Sequence, residues 1–342
     1  MDITSEYLGL KLKNPLVASS SPLTGNLDTV RRLEDAGIAA IVLPSLFEEE
    51  IVKDQRLRHA VLDFHGSNSV EMDNAAQTNS YKSHLDSYLE KVQTMKKSLD
   101  IPLIASLNGY SLSGWISHAK QLEQAGCDAL ELNIYHVAAS LAETAAEVEA
   151  RYVLLLDALR THLSIPITVK LSPQYTSLAN FVQQLKDNGA GGVVLFNRFY
   201  QPDINLDTLR LEPKLQLSSP GEALERVRWI ALLSKKINLS FAATGGFHQL
   251  DSVLKALLVG ADAVYLCSVL LQQGPPHVAT LLSELARWLE NNNHESVRQI
   301  KGRLCQEHVS DDDAGLYERA NYLSVLENYT PSASSIKMKC ST

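Results

Sequence analysis

The chain has 342 residues, 45% of them hydrophobic and 20% charged, with a formal net charge of −8. That balance supplies a large core and argues against general disorder. The negative charge disfavours nonspecific binding to nucleic acid or to anionic membrane surfaces, although an anionic small molecule can still be held in a locally positive site.

In chain order, the first strand expected is Pro15–Ser19 (PLVAS), followed by a helix over Leu27–Ala36 and a strand over Ile38–Leu43. A long loop runs from Pro44 to about Ser80, then a helix over Tyr81–Leu99 and a strand over Pro102–Ser106. Next come helix Ser113–Ala125, strand Ala129–Asn133, helix Ala142–His162, strand Ile167–Leu171, helix Ser177–Asn188 and strand Gly192–Phe196. The last repeats are helix Gly221–Ile237, strand Leu239–Ala243, helix Leu250–Leu258, strand Ala263–Cys267 and helix Val278–Glu290. The strands are short, apolar and β-branched, as strands buried on both faces are. Glycines at 37, 126, 189 and 260 follow helix ends, where a left-handed residue closes the helix.

Eight strands alternating with eight helices is the count for a (β/α)8 barrel. A doubly wound open sheet also alternates, but the first βα turn, SSSPLTGN, carries no GxGxxG fingerprint. The expected architecture is α/β, one barrel domain over residues 1–330 with the extended loop after strand two and a helical C-terminal extension, then a flexible tail over 331–342.

Cys127, Cys267, Cys305 and Cys340 form no CxxC pair, so neither a disulfide scaffold nor an iron–sulfur or other metal site is expected. The opening MDITSEYLGLKLKNP has no leader pattern, and no apolar run reaches membrane-spanning length. The expectation is a cytoplasmic protein with no membrane partner.

A barrel of this type carries its chemistry at the C-terminal ends of its strands. The polar residues there include Ser19, Ser20, Asn108, Asn133, Lys170, Asn197, Cys267 and Ser268. Strand seven runs into Thr244-Gly245-Gly246, and loops after strands seven and eight often bind phosphate through backbone N–H groups. The same glycines also suit a plain tight turn. Lys170 interrupts the apolar run ITVKLSP, so it either enters the barrel mouth, where it stabilises negative charge, or snorkels outward. The three asparagines end three different strands and offer paired donors and acceptors, although each alone also reads as a turn residue. His136, three residues after Asn133, suits a general base or a surface role.

At ELNIYHV, VKLSP, LFNR and TGG the chain resembles the dihydroorotate dehydrogenase family, FMN-dependent barrels that oxidise dihydroorotate to orotate in pyrimidine biosynthesis. The resemblance runs from about Leu8 to about Tyr329. It implies FMN contacts at Ser19, Ser20, Asn108, Asn133, Lys170, Gly245, Gly246, Cys267 and Ser268. It implies substrate contacts at Asn133 and Asn197, and through GSNSVEMDN at Asn68, Ser69 and Val70. A homodimer is also in keeping with it. The family's catalytic loop reads Asn-x-Ser-Cys-Pro-Asn, whereas this chain has Asn133-Ile134-Tyr135-His136-Val137-Ala138. The resemblance therefore makes His136 the catalytic base beside Lys170, and Ala138 removes a substrate partner. Pro44 replaces a family lysine, and Glu71 puts a charge in the substrate loop. The readings left open are dihydroorotate oxidation, an FMN barrel oxidising another small CH–CH compound, an FMN-binding protein without catalysis, and a flavin-free barrel binding a phosphate ester.

Overall fold

The computed structural model describes residues 1–54, 56, 83–109, 112–134, 136–318, 322–328 and 330. Eight parallel strands form its centre: β1 (Leu16–Ala18), β2 (Ala40–Val42), β3 (Leu103–Asn108), β4 (Ala129–Asn133), β5 (Ile167–Leu171), β6 (Gly192–Leu195), β7 (Ser240–Thr244) and β8 (Ala263–Leu266). Each pairs with its sequence neighbour, and β8 pairs with β1, so the sheet closes on itself as a barrel. A two-residue strand, Leu46–Phe47, adds to the upper end of β3.

Helices α1 (Leu27–Asp35), α2 (His84–Ser98), α3 (Leu112–Gln124), α4 (Ala145–Arg160), α5 (Leu178–Asp187), α6 (Ala223–Leu233), α7 (Leu250–Leu258) and α8 (Pro276–Asn291) follow the strands in order. The start of α4 lies three residues inside the expected helix because Thr144 caps it. Its side chain accepts from Glu147 N, and Glu147 reaches back in a reciprocal capping box. No helix among the described residues is long and apolar enough to cross a membrane.

Strand alternation divides the core in two. On β5, Ile167, Val169 and Leu171 pack outward in the cluster shared with the helices, while Thr168 and Lys170 point inward. On β4, Leu130 and Leu132 join that outer cluster, while Ala129 and Glu131 face the barrel interior. The lower interior is filled by small and medium apolar side chains such as Val17, Val42, Ile104 and Val194.

An N-terminal hairpin, Ser5–Tyr7 with Leu10–Leu12, closes the bottom of the barrel. Tyr7 is fully buried there; its hydroxyl donates to Thr168 Oγ1 at 3.1 Å and accepts from Tyr265 at 3.2 Å. The sequence reading did not anticipate this hairpin, nor a second one, Asp203–Asn205 with Arg210–Glu212, in the βα loop after β6. Both are two three-residue runs, too short to give a periodic signal.

Candidate active site at the C-terminal end of the barrel

A cavity of about 500 Å³ opens where the C-terminal ends of β1, β5, β6, β7 and β8 meet. That size lies in the range of small-molecule sites, ~300–1,000 Å³. Ser19, Ser20, Lys170, Asn197, Gly245, Gly246, Cys267 and Ser268 all line it. Residues from five strands, spread over 250 positions of sequence, thus converge on one space, because parallel register brings every strand end to the same face.

Lys170 points into the cavity wall with its side chain 8% exposed. Its ammonium lies 3.4 Å from Glu131 Oε1 on β4, a carboxylate with no exposure. This settles its direction: it enters the barrel rather than snorkelling out. Asn197 follows β6, and its backbone N–H donates to Leu171 O at 2.7 Å. Its side-chain amide donates to Asn133 Oδ1 at 2.7 Å. Asn133 and Asn108 are buried in register at the ends of β4 and β3, beside this cavity rather than in its lining.

The glycine loop after β7 is tightly held. Gly245 and Gly246 have φ of +90° and +92°, a region that favours glycine. A Cβ on Gly246 would stand 2.5 Å from Ala223 N and 3.0 Å from Ser219 O, both backbone atoms. Beneath the loop, the buried Arg226 donates to Thr244 O at 3.1 Å. Gly246→Ala is therefore expected to disturb this cradle. The positive φ alone costs roughly 1–2 kcal/mol of stability, and the methyl group's displacement of the Ala223 and Ser219 backbone is expected to weaken FMN binding. Titrating both proteins with FMN checks this, and equal affinity would mean that the loop does not touch the ligand.

Sequence reasoning missed Ser218 and His248, which complete the loop. Ser218 donates through both its N–H and its hydroxyl to Ser268 Oγ, at 2.9 Å each. Ser218 Oγ in turn accepts from Gly246 N at 3.2 Å, and His248 Nε2 lies 3.2 Å from it. With the Ser218 proton given to Ser268, the proton between Ser218 and His248 belongs to Nε2. Ser268 keeps its own hydroxyl proton for a ligand in the cavity. A hydroxyl donor beside a crowded glycine turn, with a lysine across the space, is a donor set suited to a phosphate and an electron-rich ring. Burial pushes the Cys267 thiol up, which argues against a reactive thiolate there.

His136 sits apart from the cavity lining. Its Nε2 is 2.9 Å from Glu143 Oε2 and 3.1 Å from Arg151, and Arg151 also pairs with Glu143. Hydrogen bonding from His136, then the charges of His136 and Arg151, hold the Glu143 carboxyl below its usual range. Glu143 is therefore an ionised acceptor. Asn68, Ser69, Val70, Glu71 and Tyr135 lie outside the described residues.

The family profile described as Dihydroorotate dehydrogenase matches residues 3–289. The chain belongs to the dihydroorotate dehydrogenase family. With it, the chain is an oxidoreductase of the dehydrogenases that act on a CH–CH bond. The chloroplastic dihydropyrimidine dehydrogenase (NADP(+)) of Arabidopsis thaliana is 25% identical over 91% of this chain and 79% of its own length. The catalytic subunit of dihydroorotate dehydrogenase B (NAD(+)) from Thermoplasma acidophilum is 22% identical over 88% of this chain and 98% of its own. Dihydroorotate dehydrogenase A (fumarate) of Limosilactobacillus reuteri is 26% identical over 76% of this chain and 84% of its own. These relatives differ in named substrate and oxidant.

Proposed function

We propose that this protein is an FMN-dependent oxidoreductase that converts dihydroorotate to orotate. The observation carrying this reading is one cavity lined by Lys170, the Gly245-Gly246 loop, Ser268 and Asn197, with Asn133 bonded to Asn197 from beside it. FMN, when bound, supplies the hydride-accepting ring. Gly246, Ser268 and their supports Ser218 and His248 would hold its phosphate, and Ser19, Ser20, Asn108 and Cys267 would flank it. Lys170 would stand at the ring and favour negative charge there.

Asn133 and Asn197 would orient the substrate's amide groups, joined by Asn68, Ser69 and Val70. Their mutual hydrogen bond leaves the Asn197 carbonyl and the Asn133 NH2 group for a ring with complementary edges. His136 would take the substrate proton. Glu143 on Nε2 orients the imidazole, as a carboxylate does in a hydrolase triad, and leaves Nδ1 as the accepting atom.

One observation favours a second reading, another small CH–CH substrate. Ala138 has no hydrogen-bonding side chain at the position where the family carries an asparagine, and Arg198 lines the cavity. A site without such a partner loses much of its affinity for the ligand that needs it.

The test is anaerobic addition of dihydroorotate to the purified flavoprotein while following the visible flavin band. Bleaching within seconds is the expected result. A bound flavin that stays oxidised with dihydroorotate but bleaches with a different dihydropyrimidine would replace the first reading with the second. A flavin that no such compound reduces would leave a binding protein, and a colourless protein that takes up no FMN would end the flavin reading.

A further inference from the structure

The reading above uses Lys170 but not the group that faces it. Glu131 is fully buried inside the barrel, where charged residues almost never stand unpaired. Its Oε1 accepts from Lys170, and its Oε2 has no hydrogen-bond partner among the described residues. Strand register explains the meeting. Glu131 is paired with Thr168 across β4 and β5, and Lys170 lies two residues further along on the same inward face.

Only one of the two charges reaches the ligand space. Lys170 lines the cavity, and Glu131 does not. The groups near Glu131 carry no positive charge: Ser106 and Thr168, its register partners on the two neighbouring strands, are neutral hydroxyls, and the phenols of Tyr7 and Tyr265 are kept un-ionised by burial. Burial raises the Glu131 carboxyl, and Lys170 pulls it back. An acid that no ligand touches therefore stands directly behind the cation that a ligand would touch.

We infer that Glu131 is a positioning residue for Lys170: it holds the ammonium at the cavity wall and offsets its charge. It thereby sets how strongly the cavity favours an anionic ring over a neutral one. In a dry site an uncompensated ammonium acts far more strongly than one paired at 3.4 Å. This inference rests on the flavin reading of the cavity.

The experiment compares the wild-type flavoprotein with Glu131→Gln and Glu131→Asp. Two readouts are the flavin midpoint potential and the affinity of the oxidised protein for sulfite, a small anion that binds at the flavin ring. Glu131→Gln is expected to retain its flavin, raise the midpoint potential and tighten sulfite binding by roughly tenfold or more. Glu131→Asp, which draws the charge back by one methylene, moves both readouts the same way by less. It also carries the test alone if Glu131→Gln does not fold. A variant that holds flavin with unchanged potential and sulfite affinity overturns the inference and leaves the flavin reading standing. A wild-type protein that takes up no FMN overturns that reading and the inference with it.

Discussion

Lys170→Met is expected to destabilise the folded protein by about 3–5 kcal/mol, the usual cost of breaking a buried ion pair on one side. The pair is Lys170 with Glu131 at 3.4 Å, and the carboxylate has no exposure and no other hydrogen-bond donor among the described residues. The loss should depend on pH in a defined direction. Burial already raises the Glu131 carboxyl, and the variant removes the ammonium that opposes this. Its folded pKa then lies well above the unfolded value of about 4.3. A group raised in this way contributes stability that is fully present below the unfolded pKa and is lost as pH rises through the folded one. Thermal melting of Lys170→Met, compared with wild type, should therefore fall further behind as pH is raised from about 5 upward. A constant difference across that range would show that Glu131 does not ionise on unfolding. The variant should also lose flavin on gel filtration, because the cavity loses its buried cation.

His136→Ala is expected to leave flavin content and folding intact and to lower turnover by roughly 10²–10⁴-fold, the range for loss of a positioned general base. The separation of effects follows from place. His136 lies in the loop after β4, hydrogen-bonded to Glu143 with Arg151 beside it and outside the cavity lining, so its removal creates no void in the core. Anaerobic stopped-flow reduction measures the step directly. An unchanged reduction rate would remove the histidine from the chemistry and leave it a structural partner of Glu143.

The barrel was legible because its signal is local and repeated. Runs such as ITVKL and ALELN are apolar at alternate outward positions, and glycines 37, 126, 189 and 260 all adopt positive φ after a helix. Closure itself is non-local; it depends on Leu16–Ala18 meeting Ala263–Leu266 across nearly the whole chain. The site residues were legible in part for the same reason, since strand ends mark the active face. Lys170 stood out as a charge within an apolar run. Glu131 carried the same signal in ALELN, one strand earlier, and went unread because only register shows that the two meet.

Ser218 and His248 had no such mark. SSP and GFHQ are ordinary polar loop sequences, and the bonds that Ser218 makes to His248, Ser268 and Gly246 join residues 28 to 50 positions apart in the sequence. His136 shows the opposite limit. The sequence marked it by position after β4, but the partners on its ring, Glu143 and Arg151, depend on how the loop turns into α4.

By itself, then, the sequence determined the element types, the barrel class and the residues standing at strand ends, because hydrophobic period and helix punctuation are encoded within a few neighbouring residues. Tertiary structure alone decided that the N-terminal hairpin plugs the barrel, that Lys170 turns inward onto Glu131, and that Ser218 and His248 support the glycine loop. Those are pairings across long sequence separations, and they form only where closure of the sheet brings distant strand ends within hydrogen-bond reach.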